Sequence, residues 1–400
     1  MLSTRFFGMF FIVLAIISTQ ILVAGEENTN HNKFRQLTSE LPTPNVYRTA
    51  SGAPGPQYYQ QKADYRMFIE LDDNKQRIVG KETITYHNNS PEALSYLWLQ
   101  LDQNVRAEDS DAMTTETSTM KGHRSFTNMH VFHQNFDGGF KIDYVQDAQN
   151  QNVPFTIVKT MMRVDLKTSL QSGSQIELNI GWWYNINDRE KISGRSGMEY
   201  FPGDGNYIYT IAQFFPRMAV YNDVEGWQTK TFLGSAEFAL NFGDYHVEIT
   251  APADHVIAAT GELQNAAQVL TVQQQKRLQE ARLSDTPLKV VTEAEARDAE
   301  KSRSKLKKTW IFEAKNVRDF AFASSRKFLW DAMGVSSGTN QVMAMAFYPK
   351  EGNPLWEEYA TRVVAHTLQS YSKYTFDYPW PTAQVVHTKN IGMEYPMICF

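Results

Sequence analysis

A single carboxylate set in an apolar run is the first group in this chain with chemistry to offer. Glu394 stands within Asn390-Ile391-Gly392-Met393-Glu394-Tyr395-Pro396-Met397-Ile398-Cys399-Phe400, between a glycine and residues that are almost all apolar. Gly392 has no Cβ and lets another backbone come close. Pro396 has no N–H to give to a ladder, so the segment suits an edge strand or a strand end. An edge strand offers unpaired N–H and C=O groups to an extended peptide. A carboxylate beside it can pair with a peptide's free amino terminus, whose pKa near ~7.7–8.0 leaves it cationic at neutral pH. The same residues also suit an ordinary strand with one exposed glutamate.

Metal chemistry has less to work with. His123, His130 and His133 lie close in sequence, but residues three apart on a strand face opposite sides. No acidic third ligand accompanies them, so a metal role is not expected. His366 has no second histidine or glutamate four residues on. Trp182, Trp183 and Trp227 would suit a carbohydrate platform, although burial in a core explains tryptophans equally well.

Gly392-Met393-Glu394-Tyr395-Pro396 resembles the G-x-M-E-N segment of peptidase family M1, the gluzincin zinc aminopeptidases, in the variant with tyrosine for asparagine. The resemblance implies that Glu394, with Gly392 and Met393, binds the α-amine of a peptide substrate. Ala212-Gln213-Phe214-Phe215-Pro216-Arg217 resembles the family's run from a T-Q-F-E element into an arginine- and proline-containing turn. On that likeness Gln213 helps line the first substrate pocket. Phe215 stands where many of these enzymes place a second amine-binding glutamate, a departure from a strict aminopeptidase. Asn316-Val317-Arg318-Asp319-Phe320 is a further specific match.

The family also implies zinc, held by a downstream H-E-x-x-H and a later glutamate. None of the nine histidines lies in such a motif. The zinc ligands are therefore expected beyond Phe400, and the apolar ending Met397-Ile398-Cys399-Phe400 reads as a truncation. By itself the 400-residue chain is expected to hold no zinc and to cleave no peptide. The alternative from another class is a non-catalytic, secreted β-sandwich module that binds peptides or presents an interaction surface.

The elements that would carry these residues follow from patterning. Residues 1–25 read as a signal peptide: Arg5, the apolar run Phe6 to Ile17, a polar break, then Ala24 and Gly25. The chain is expected to be exported, periplasmic or extracellular, and tied to a membrane only if that run is retained as an anchor. Residues 26–61, with four prolines, read as a linker. Residues 62–333 alternate in short runs and predict an antiparallel β-sandwich. About 264–308 is a charge-rich insertion with capping-box patterns at Thr271 and Thr292, expected as two solvent-exposed helices. Gly194 to Gly205 is expected to be irregular, and Met113 to Lys121 an exposed loop. Residues 334–400 bring a strand, a helix capped by Asn353 with Pro354 at its first position, and an amphipathic pattern in which Leu355, Tyr359, Val363, Thr367 and Tyr371 recur every fourth residue with Ala360, Val364 and Leu368 alongside. These read as the incomplete start of a thermolysin-like domain. The fold class expected is mainly β followed by α/β.

Composition narrows the rest. A net charge of −5 leaves no broad basic surface for nucleic acid. Cys399 is the only cysteine, which excludes intrachain disulfides and thiolate zinc clusters.

Overall fold

The computed structural model describes residues 44–115, 136–192, 194–235, 239–389 and 391–400. The expected signal peptide, the first half of the linker, residues 116–121 of the Thr- and Ser-rich loop, and His123, His130 and His133 lie outside the described residues. Residues 111–115, at the start of that loop, form a short helix. Residues 1–58 and 59–400 are two separate compact units. Within the first, the Asn45 side chain accepts the Tyr47 and Arg48 amides at 2.8 and 2.9 Å and turns the backbone. No helix among the described residues is long and apolar enough to cross a membrane.

In the second unit, alternation dictates the largest sheet. Along Lys62–Asp72, Ala63, Tyr65, Met67, Ile69 and Leu71 are buried and their neighbours face outward, the period of two that a strand imposes. Arg77–His87 pairs antiparallel along its whole length, and Gln175–Asn185 then Lys141–Asp147 extend that side. Gly80 is required there, because a Cβ would sit 2.2 Å from the Trp182 ring. On the other side Gly243–Pro252 runs parallel to Lys62–Asp72, followed by Lys307–Val317 and Glu262–Leu263. The seven-stranded sheet is therefore mixed, not wholly antiparallel. Side-chain alternation fixes which face is buried and says nothing of a neighbour's direction.

Two four-stranded sheets pack with it. One joins Arg217–Met218, Leu94–Gln100, Met161–Leu170 and Phe155–Val158. The other joins Val256–Ala259, Phe322–Ser325, Asn206–Ile211 and Gly197–Phe201. Tyr65, Ile84, Leu97, Trp182, Ile211, Val247 and Phe322 belong to one buried apolar cluster. The strand Gly197–Phe201 corrects the expectation of irregular structure between Gly194 and Gly205. Gly197, at φ +144°, sits where a Cβ would come within 2.5 Å of the Asn187 carbonyl oxygen, so this glycine lets the strand start.

The insertion forms helices Ala266–Val269, Val272–Arg282 and Glu293–Ser302, with complete capping boxes at Thr271 and Thr292. It also contributes Leu288–Val291, the edge strand of a six-stranded sheet. Ala281 and Ala296 are buried, so the helices are exposed on one face only. The sheet continues through Phe328–Ser337, Asn340–Pro349, Thr382–Val386, Ile398–Cys399 and Glu394–Tyr395. Residue 334 falls inside its second strand. The chain is mainly β, then α/β.

The helix Leu355–Tyr374 crosses between the parallel strands Asn340–Pro349 and Thr382–Val386. Its buried residues are Thr361, Ala365 and Leu368, packed toward Met333, Val335 and Val342. Leu355, Tyr359, Val363 and Tyr371 are exposed, at 50–70%. The residues expected at every fourth position thus face outward, while Ala360, Val364 and Leu368 beside them are on the side that packs. A step of four residues overshoots one turn by about 40°, whereas alternating steps of three and four hold one face. The start is corrected too: the helix begins at Leu355 with Pro354 at the N-cap. Asn353 turns its amide to Glu293 at 3.3 Å instead of capping.

Candidate functional site

The final segment is a small hairpin on the edge of the six-stranded sheet. Glu394–Tyr395 pairs antiparallel with Ile398–Cys399, which lies parallel to Thr382–Val386. Met393 and Phe400 exchange backbone hydrogen bonds of 3.2 and 2.9 Å and close the hairpin. Alternation sorts the side chains: Met393 is buried, Glu394 is exposed, and Tyr395 turns inward. Among the described residues, no hydrogen bond or ion pair reaches the Glu394 carboxylate. Gly392 has nothing within 4 Å of its Cβ position. Close backbone approach is therefore not the use of this glycine within the chain.

Gln213 comes to the same place from 182 residues away. Its backbone N–H donates to the Tyr395 Oη at 3.1 Å. Its carbonyl accepts the Gln103 Nε2 at 3.0 Å, and the same nitrogen reaches the Ala212 carbonyl at 3.2 Å. These bonds hold Gln213 at φ +51°, a conformation costly for a residue with a Cβ. Its side-chain carboxamide has no hydrogen-bond partner among the described residues. Phe215 is fully buried against Tyr65, Phe214 and Tyr245. It belongs to the core and lines no cleft.

Beneath Tyr395 lies a buried ionic group. Arg217 donates to Asp102 at 2.7 Å and to Asp319, and it reaches the Gln100 side chain at 3.5 Å. Burial alone would lower the Arg217 pKa, but the two carboxylates outweigh it and hold the guanidinium above its ordinary value. One cation between two acids leaves a negative charge in excess. Burial, with Asp102 adding to it, pushes the Asp319 carboxyl up to about 6 against the pull of Arg217. Burial also raises the Tyr395 phenol well above its usual range, so it stays protonated. Asp102, Gln103 and the pairing of Arg217 escape the sequence reading. One signal was present: Arg217 is the only charge between Phe214 and Val220, and a charge in such a run must be paired.

The loop ahead of Gly392 is held by a second buried pair. Arg189 and Glu199 meet at 3.2 Å, and both grip the Lys389 backbone. Arg189 donates to the Lys389 carbonyl at 3.1 Å, and the Lys389 N–H donates to Glu199 at 3.1 Å.

The described residues do not fit zinc. The one group of three close carboxylates, Asp204, Glu300 and Glu351, already surrounds the ammonium groups of Lys327 and Lys350. It has no imidazole, and the sequence has no H-E-x-x-H. What Glu394 and Gln213 can do is bind: a carboxylate and a carboxamide oxygen both accept from an ammonium group.

No protein-family model matches the sequence, and no curated protein sequence does. The structure is similar to those of M1 zinc metallopeptidases. An M1 zinc metallopeptidase mutant from Deinococcus radiodurans is 15% identical over 85% of this chain and 59% of its own, with a TM-score of 0.48. A mutant from the same organism bound to a Tyr-Ser-Ala substrate is 14% identical over 85% of this chain and 60% of its own, at 0.49. A two-domain M1 zinc metallopeptidase mutant bound to L-tryptophan is 15% identical over 87% and 62%, at 0.49. The chain spans about three fifths of the length of these structures. The roles of its residues are argued from its own geometry.

Proposed function

We propose that this chain carries the part of an exported zinc aminopeptidase that recognises a substrate's free amino terminus. Supporting the reading is the meeting of Gln213 with Tyr395 at 3.1 Å, which joins two segments that resemble the same family. Glu394, free of partners on an edge strand, is the group offered to the α-amine, and the strand edge to the peptide backbone. Met393, hydrogen-bonded to Phe400, holds it on the strand, Gly392 leaves open space beside it for the substrate, and Gln213 lines the first side-chain pocket. Zinc would supply an activated water when bound. The sequence contains no H-E-x-x-H to hold it, and no step of bond cleavage is assigned to the described residues. Export rests on Arg5 and the apolar run from Phe6 to Ile17.

The test is binding of a fluorescent tripeptide with a free amino terminus, set against its N-acetylated counterpart. Glu394→Gln is expected to weaken the free-amine peptide about tenfold, the loss of a charge-assisted contact, and to leave the acetylated one unchanged. Free-amine binding should also fall as the pH rises past ~8, where the ligand's amine loses its proton. Equal effects on both peptides, or none, would make Glu394 a surface residue and end the reading.

A further inference from the structure

We propose that Arg189 and Glu199 are positioning residues for the amine-binding segment, an inference that rests on the reading of Glu394 above. The segment has two anchors. On its far side Tyr395 receives the Gln213 N–H, and Met393 is locked to Phe400. On its near side the chain arrives from Lys389 with Gly392 in open space. A glycine with no neighbours leaves that approach free to wander. What fixes it is the pair 200 residues away in sequence, because Arg189 takes the Lys389 carbonyl and Glu199 takes its N–H.

The pair suits holding backbone better than holding charge. Both side chains are buried, at 4% and 7% exposure. Burial lowers the Arg189 guanidinium below its ordinary value even beside Glu199. The backbone around Arg189 is itself tied down. Its N–H reaches the Met198 carbonyl at 3.0 Å, and the Met198 N–H reaches Asn187 at 2.8 Å. Both side chains therefore rise from one rigid strand start and close on the backbone of one residue, Lys389, through the two peptide groups that flank it. Lys389 adds an outer ion pair with Glu190. Glu394 lies five residues beyond this grip, so a loosened Lys389 would let the carboxylate swing off the line of an incoming amine.

The experiment compares the full 400-residue chain with Arg189→Met/Glu199→Met and with Glu199→Gln. The double variant removes both charges together and leaves neither stranded. Glu199→Gln keeps an oxygen for the Lys389 N–H. Two quantities are read: hydrogen exchange at the Lys389 amide, and the affinity ratio of the free-amine tripeptide to its N-acetylated form. The double variant is expected to exchange at Lys389 at least about tenfold faster and to lose about tenfold in the ratio. Glu199→Gln should stay near the parent in both. If Glu394→Gln lowers the ratio and the double variant does not, the positioning role is wrong while the amine reading stands. A double variant that fails to fold, or a Glu199→Gln variant that loses the ratio as fully, also overturns it, since the pair would then serve the fold or the charge.

Discussion

The chain contains Gly-Met-Glu-Tyr twice, as Gly197-Met198-Glu199-Tyr200 and as Gly392-Met393-Glu394-Tyr395, and folds the two in opposite phase. In the first, Glu199 is buried and paired while Tyr200 is exposed. In the second, Glu394 is exposed and unpaired while Tyr395 turns inward. Both are strands, so a shift of one residue in which face meets the core exchanges every role. The first is fixed by Gly197 against Asn187 and by a full partner strand, Asn206–Ile211. The second hangs on a two-residue partner at a sheet edge. The same four residues thus supply a buried support in one place and an exposed, unpaired carboxylate in the other, and the first holds the loop that leads to the second.

The sharpest way to break this comparison is to remove each glutamate. Glu199→Ala leaves the Arg189 guanidinium buried without its partner, and the expected cost is about 3 kcal/mol or more. Glu394→Ala removes a solvated group with no contacts and should stay within about 0.5 kcal/mol of the parent. Urea unfolding measures both. Similar costs would mean that the two glutamates do similar work and that exposure at residue 394 is not the native arrangement.

A smaller effect probes the ground on which the second tyrosine stands. Asp319 has a folded pKa raised to about 6, against ~3.9 unfolded. Between those values the native chain binds the extra proton. Stability on this account is highest below ~pH 4 and falls as the pH rises through the folded pKa, by on the order of 2–3 kcal/mol. Glu82, buried with both carboxyl oxygens unpaired and pushed upward by that burial, adds in the same direction. The informative quantity is therefore a difference. Stability measured at about pH 4.5 and about pH 7.5 should change less in Asp319→Asn than in the parent. An identical change in both would show that the ionic group beneath Tyr395 does not titrate as its burial requires.

How much of this was legible without a structure depends on the kind of information needed. Alternation announced the strands of residues 62–333, among them those that bury Met67, Ile69 and Ile84, because a strand's period is local. Thr271 and Thr292 announced their helices, because a capping box spans four residues. The direction of Gly243–Pro252 beside Lys62–Asp72 was not legible, since it depends on a partner far along the chain. The helix Leu355–Tyr374 was found, but only part of its face: Ala360, Val364 and Leu368 pack, whereas Leu355, Tyr359 and Val363 are equally apolar and exposed, and residue type alone does not separate the two sides. In the candidate site, Gln213 and Glu394 were singled out one segment at a time. Their junction through Tyr395, the ionic group below it and the Arg189–Glu199 grip are tertiary facts. Glu199 in particular looks the same as Glu394 over four residues, and only the fold tells them apart.

The tyrosines give the finest test of that distinction. Tyr395→Phe removes the oxygen that accepts the Gln213 N–H at 3.1 Å and leaves a buried donor unsatisfied, at an expected cost of about 1–2 kcal/mol. The loss should also free the Gln213 backbone from φ +51°, so the variant's hydrogen exchange at Gln213 should rise along with the drop in stability. Tyr200→Phe removes a hydroxyl with no hydrogen bond among the described residues, on a ring that is 44% exposed beside Tyr207. Its expected change is within about 0.5 kcal/mol. If Tyr200→Phe cost as much as Tyr395→Phe, the opposite phases of the two segments would not be what sets their energetics. If Tyr395→Phe left exchange at Gln213 unchanged, Gln103 alone would hold that turn, and the two halves of the candidate site would be neighbours without being coupled.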